Sequence, residues 1–279
     1  MMRMVAGKPC VGEEFACMDV GKKLLREFKE VFSSSLTMNI CDIFPILRWR
    51  KRDEVLGRLF EEIKLNNDNI IDVEKMRPLI ETLFSLRKSE PEFFSDDVIK
   101  SLTLMVFVAG TETTAITTEW AMSLLLNHPK VLQKVKAEID SQVGCERLIN
   151  DLDLAKLPYL HGVINERLRL YPTSMHRDPK LWEEPTKFKP ERLEEINGER
   201  EGFKFIPFGI GRRVCPGAGM AMRVMSLALG AFIQCFDWKM VGKKMVDMTS
   251  NSEFLMAKNK SLEAVCTPCS SMTNFLSQL

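Results

Sequence analysis

The sequence predicts a mainly α fold with minor β. Three observations carry it. A helix-compatible stretch of about 32 residues without proline runs between Ser95 and the pair His128-Pro129. Pro129 and Pro158 are each followed by apolar residues at helical spacing. Short alternating pieces are confined to the region after Asp237.

Taken in order, Asp53 to Lys64 (DEVLGRLFEEIK) puts Val55, Leu56, Leu59, Phe60 and Ile63 on one helical face. Pro78 opens a helix to about Lys88. Ser95 caps the next, its hydroxyl accepting from free amides while Asp96 and Asp97 suit the positive end of the dipole. This central helix spans about 96–127, a rod of roughly 48 Å at about 1.5 Å per residue. The helix from Pro129 turns Val131, Leu132, Val135 and Ile139 inward, and Pro158 precedes YLHGVINERLRLY. From Ser174 to Lys204 the chain is turn-rich, and DWKMV and LEAVC are strand candidates.

With 279 residues, 45% hydrophobic, the chain can bury a sizeable core. Lysine and arginine number 39 against 38 acids, a net +1 that gives no reason to expect nucleic acid as a partner. Its 8 cysteines lack the density of a disulfide scaffold and read as mostly reduced thiols. Cys266-x-x-Cys269 has no second pair to complete a zinc site, and His128, His161 and His176 stand apart, each incidental. No apolar run approaches the roughly 18 residues that span a bilayer, and the start has no signal-peptide h-region. Neither a P-loop nor a dinucleotide fingerprint is present, so a nicotinamide cofactor would bind another protein.

Four places can carry chemistry. In FGIGRRVCPGAGMA, Gly209 and Gly211 allow tight backbone geometry, and Pro216 and Gly217 start a helix, so the sulfur of Cys215 faces free amides at a positive helix end. That setting favours a thiolate, which can be the single strong protein ligand of a haem iron, with Arg213 pairing a propionate. The bland alternative is an inert core cysteine. In AGTETT, Ala109 to Thr114, poor helix formers weaken the ladder, and Thr113 can bond back to the Ala109 carbonyl. The alternative there is a packing patch of small residues. Glu166 and Arg169 lie three apart on one helix face, ordinarily a solvated pair, and KFKPERL supplies Arg192. Lys204, Arg212, Arg213 and Arg223 form a basic cluster around the cysteine.

Phe208, Gly211, Arg213, Cys215 and Gly217 resemble, in order and spacing, the haem-binding signature of the cytochrome P-450 family. The likeness runs from about Met1 to Cys266, and wording such as SEPEFFSDDVIKSL and KLWEEPTKFKPERL is most similar to plant microsomal members that hydroxylate flavonoids and isoflavonoids. The resemblance implies a single partial cytochrome P-450 domain over 1–279, its C-terminal haem-binding part, with the haem-binding loop at 207–217. It implies haem as cofactor, held by Cys215 as metal ligand, with Phe208, Gly211, Arg213 and Gly217 around it and Ala109 and Gly110 close to the haem face. Glu112 and Thr113 would organise proton delivery to bound oxygen. Glu166, Arg169 and Arg192 would form a buried structural network bracing the cysteine loop, with Leu193 where the family most often has Phe. The implied reaction is monooxygenation of a small lipophilic substrate, an isoflavonoid or flavonoid, with O2 and electrons from an NADPH-cytochrome reductase docked on the basic cluster. The implied location is the cytoplasmic face of the endoplasmic reticulum membrane.

Two departures qualify this. The chain begins where the resemblance places residues well beyond a membrane anchor, most of an N-terminal sheet and a propionate-contacting helix. LRLYPTS also runs through Met175 straight into HRDPKLW, an internal deletion after Ser174 of a strand-rich, substrate-facing segment. The rival expectation is therefore a catalytically inactive helical fragment that does not retain haem.

Overall fold

The computed structural model describes residues 79–170, 175–193, 204–242, 244–251 and 256–276. The helix expected at 53–64 and cysteines 10, 17 and 41 lie outside them. The described residues fall into two units, and the boundary lies between Glu112 and Thr113, inside one continuous helix.

In the first unit, α1 (Leu79–Ser89) follows Pro78 and α2 (Asp96–Asn127) begins after Ser95, whose Oγ accepts the Val98 amide at 3.4 Å. Leu83 and Ile99 are buried among Leu79, Phe84, Phe94 and Leu102. α2 is an unbroken α-helix of 32 residues, so the expected weakening at AGTETT does not interrupt it. Hydroxyls along it bond back one turn: Thr111 Oγ1 to the Phe107 carbonyl at 2.6 Å, Thr117 to Thr113 at 2.8 Å and Thr118 to Thr114 at 2.9 Å.

The second unit is helical. Its elements are the end of α2, α3 (Pro129–Gln142), a 3₁₀ turn (Asp151–Lys156), α4 (Pro158–Arg169) and α5 (Ala218–Cys235). Proline at the first position of α3 and α4 removes an amide that would lack a partner anyway. The next two amides of α4, Tyr159 and Leu160, donate to the two Glu138 oxygens at 2.8 and 2.9 Å, so a carboxylate on α3 satisfies the positive end of its neighbour. α5 packs across α3, α4 and the turn. The core collects Leu125, Val135, Ile139, Leu160, Val163, Leu229 and Ile233, each contributing about 1.5–3 kcal/mol by leaving water. Val135 and Ile139 are fully buried as their spacing predicts, while Val131 and Leu132 pack at the margin. At Gly230 a Cβ would come within 2.7 Å of Ile149 Cδ1, which is how closely α5 meets the 144–150 loop.

That loop has no regular structure. Gln234 of α5, 1% exposed, supplies its order: Nε2 donates to the Gly144 and Arg147 carbonyls at 2.9 and 2.8 Å, and Oε1 accepts the Ile149 amide at 3.0 Å. Farther along, Asn150 and Asp153 close a capping box on the 3₁₀ turn, and Arg147 clasps Asp153 with bonds of 2.6 and 2.8 Å. This clasp, followed by the Asn150 amide, pulls the Asp153 carboxyl down to about 2.

The minor β component is one antiparallel pair, β1 (Phe236–Met240) with β2 (Ala264–Pro268), in register Phe236 with Pro268 through Met240 with Ala264. Beyond its end Cys269 donates to the Cys235 carbonyl at 2.8 Å, and both cysteines pack with Met272 before α6 (Thr273–Leu276). Burial pushes both thiols up. Two helices, α2 and α5, are long and apolar enough by length and composition to cross a bilayer, which corrects the expectation that no stretch comes near that length. In α5 the apolar residues serve the core just described.

Candidate functional site

The cysteine loop is built from successive short bonds. Ile206 C=O accepts the Gly209 amide at 3.1 Å, which makes a tight turn, and Phe208 C=O accepts the Cys215 amide at 2.8 Å, which closes the loop on itself. Gly209 and Gly211 have φ of 76° and 66°, the left-handed region that side chains resist, so both glycines are required by the path. Residues Gly211–Arg213 form a 3₁₀ turn, and α5 starts at Ala218 with Gly217 as its N-cap, two residues after the expected start at Pro216. Cys215 thus stands as a free, exposed thiol just before the amino end of an 18-residue helix. Ile210 and Val214 flank it, each 49% exposed, and Phe208 is packed against the core behind.

These residues fit a haem. The loop offers one soft sulfur donor, exposed aliphatic carbon on either side of it for an apolar macrocycle, and the Arg213 guanidinium, which makes no ion pair among the described residues, for a carboxylate.

The basic cluster separates into two parts. Lys204 Nζ lies 4.4 Å from the centre of the Trp182 ring, and Arg223 pairs with Asp151 at 2.9 Å. Arg212 and Arg213 remain exposed beside the cysteine.

Glu166, Arg169 and Arg192 come together. Arg169 is fully buried and bidentate to Glu166, Nε to Oε2 at 2.8 Å and Nη2 to Oε1 at 2.7 Å. Its remaining protons reach the carbonyls of His176, Pro185 and Lys187 at 2.9, 2.8 and 3.3 Å. Arg192 Nε lies 3.2 Å from Glu166 Oε1, close enough to pair but not aligned as a hydrogen bond. Glu166 also accepts the Lys189 amide at 3.1 Å. An ion pair at helical spacing is ordinarily a surface feature; here the 175–193 segment folds over it and desolvates it.

Ala109, Gly110 and Glu112 belong to the first unit and Thr113 opens the second. Ala109 and Thr113 are exposed, Gly110 and Glu112 half-buried.

Two of the histidines are not incidental. His128 Nδ1 meets the Leu124 carbonyl at 2.8 Å and its ring stacks 5.1 Å from Phe188. His176 is 3% exposed and accepts the Ile206 amide at Nε2, 3.3 Å. Isolated in sequence, His176 carries no spacing signal, and only the fold brings it against the irregular segment that leads into the cysteine loop. Cys266 is exposed on β2 whereas Cys269 is buried, with Lys136 Nζ at 3.3 Å and Asp237 Oδ1 at 3.4 Å from its sulfur. No group of metal-ligating side chains gathers around either among the described residues.

Comparison with known proteins bears on all of this. The family described as Cytochrome P450 matches residues 1–175 and 173–264, two pieces that meet where the internal deletion is expected. Cytochrome P450 81Q32 of Catharanthus roseus is 40% identical over 96% of the chain, and the isoflavone 2'-hydroxylase of Glycyrrhiza echinata 38% over 95%. The (+)-piperitol/(+)-sesamin synthase of Sesamum radiatum is 37% identical over the whole chain. The chain spans 60%, 61% and 62% of these relatives' lengths respectively. A zebra fish cytochrome P450 solved with abiraterone superposes with a TM-score of 0.79 at 21% identity, covering 96% of this chain and 69% of that one, a likeness of fold.

Proposed function

Because the chain belongs to the cytochrome P450 family of haem-dependent oxidoreductases, we propose that its 207–217 loop holds haem through the Cys215 sulfur. When bound, haem supplies activation of dioxygen for inserting one oxygen atom into a small lipophilic substrate. The chain's own residues then have these tasks. Cys215 is the ligand, and the Phe208 carbonyl fixes its backbone amide. Gly209 and Gly211 let the loop turn without strain, Ile210 and Val214 offer exposed aliphatic carbon for the apolar macrocycle, and Arg213 neutralises a carboxylate. Glu112 and Thr113, with Ala109 and Gly110 beside them, are assigned the oxygen-facing stretch of α2, with Glu112 and Thr113 moving protons. Glu166, Arg169 and Arg192 hold the 175–193 segment in place.

The observation that carries this reading is a free, exposed thiol presented by a glycine-shaped, internally bonded loop at the amino end of a long helix. The relatives' printed names extend it to an aromatic substrate such as an isoflavone. A reductase at the endoplasmic reticulum membrane would supply electrons, with the exposed Arg212 as a docking charge. A second reading, a helical fragment that keeps the signature but not the haem, is favoured by the break in the family match at 173–175.

One experiment separates the two. The 279-residue chain is reconstituted with hemin, reduced and exposed to carbon monoxide. The first reading expects the strongly red-shifted Soret band of cysteine-ligated haem, absent in Cys215→Ala. A spectrum without ligated haem in the unaltered chain establishes the second.

A further inference from the structure

We propose that His176 is a positioning residue of the cysteine loop, its Nε2 holding the Ile206 amide so that the buried Arg169 clamp sets where Cys215 is presented. The inference rests on the reading of Cys215 as the haem ligand. An ordered series of bonds supports it. Arg169 Nη1 donates to the His176 carbonyl at 2.9 Å, the Ile206 amide donates to His176 Nε2 at 3.3 Å, the Ile206 carbonyl accepts Gly209 at 3.1 Å, and the Phe208 carbonyl accepts Cys215 at 2.8 Å. Each step shares a residue or an adjacent peptide with the next, so both polar groups of Ile206 are engaged, one toward the clamp and one toward the loop. Phe205 keeps the arrangement in register, its ring 5.7 Å from His176 and 6.4 Å edge-on from Trp182, which also receives the Arg169 guanidinium at 5.2 Å.

An acceptor at Nε2 assigns the ring proton to Nδ1, which is buried without a partner. The ring works only while neutral, since a proton on Nε2 would turn the acceptor into a second donor facing the Ile206 N–H. The charged groups around it oppose that proton: Arg169 on α4 is a cation whose partner Glu166 is already clasped, Lys204 lies on Trp182, and Arg177 next in sequence is turned onto the Leu170 carbonyl at 2.9 Å. Burial first, and then Arg169, lower the His176 pKa.

The test uses the full chain, with and without hemin. His176→Leu keeps bulk and loses the acceptor; His176→Gln keeps an acceptor at the same reach and does not titrate. Ile206 amide exchange and Cys215 alkylation are expected to rise about tenfold in His176→Leu, the result of one buried donor losing its acceptor. They should stay near the unaltered level in His176→Gln. The ratio of the unaltered protein to His176→Gln, taken at each pH, should climb as the pH drops below the ordinary histidine value. If His176→Leu does not fold, this ratio remains as the measurement. Equal protection in His176→Leu, or a flat ratio, overturns the proposal. Neither readout requires haem, so a missing carbon monoxide spectrum with these outcomes intact would remove the ligand reading and leave the coupling standing.

Discussion

At the residue scale the molecule turns on Arg169, a cation with no exposed surface whose protons are divided between one carboxylate and three carbonyls. Removing it leaves the buried Glu166 carboxylate without its bidentate partner, with only Arg192 and the Lys189 amide beside it. Arg169→Met is therefore expected to cost about 3–5 kcal/mol, seen as a lower urea midpoint, whereas a surface pair would cost under about 1 kcal/mol. An unchanged midpoint would mean that the clamp is solvated in solution. The pairing of Glu166 with Arg169 was legible because three residues is a helical spacing, and Arg192 because its motif accompanies such a pair. The carbonyl partners were not, since His176, Pro185 and Lys187 are recruited by a turn-rich segment whose path no periodicity encodes. Lys204 and Arg223 show the converse: they read as free basic charge, and an indole and an aspartate had already engaged them.

At the element scale, helix starts were legible because their chemistry is local. Proline at the first position of α3 and α4 and the Ser95 cap of α2 are written within one turn of the residues that they serve. The 3₁₀ turn at Asp151–Lys156 was not foreseen, although Asn150 and Asp153 stand at capping-box spacing. Its Asp153 carboxyl, held near 2 by Arg147, favours the folded state fully above the ordinary carboxylate value, and that contribution is lost as the pH falls from about 4 through 2. Asp153→Asn should thus lower the denaturation midpoint at pH 7 and lose its effect near pH 2; a pH-independent difference would contradict the linkage. At Gly230, alanine presses on the Ile149 tip, with Leu160 Cδ2 at ordinary contact distance, and gains about 1 kcal/mol of helix propensity, so it should be close to neutral. Valine, larger and branched, should cost about 1–3 kcal/mol by calorimetry.

At the scale of the whole molecule, the helical class and the minor strand pair were both legible, and DWKMV and LEAVC fall within one or two residues of β1 and β2. That these two strands pair with each other was not, because 23 residues separate Met240 from Ala264 and register is settled by packing rather than by alternation. The same reasoning bears on Gln234. One primary amide, reaching from a helix into the 144–150 loop, acts as a surrogate neighbouring strand, offering two donors and an acceptor to peptide groups that have no sheet to join. A surface excursion of this kind is ordinarily where proteases enter. Here trypsin should spare the Arg147–Leu148 bond for as long as Gln234 is intact, and replacing that side chain with leucine should make it an early nick site.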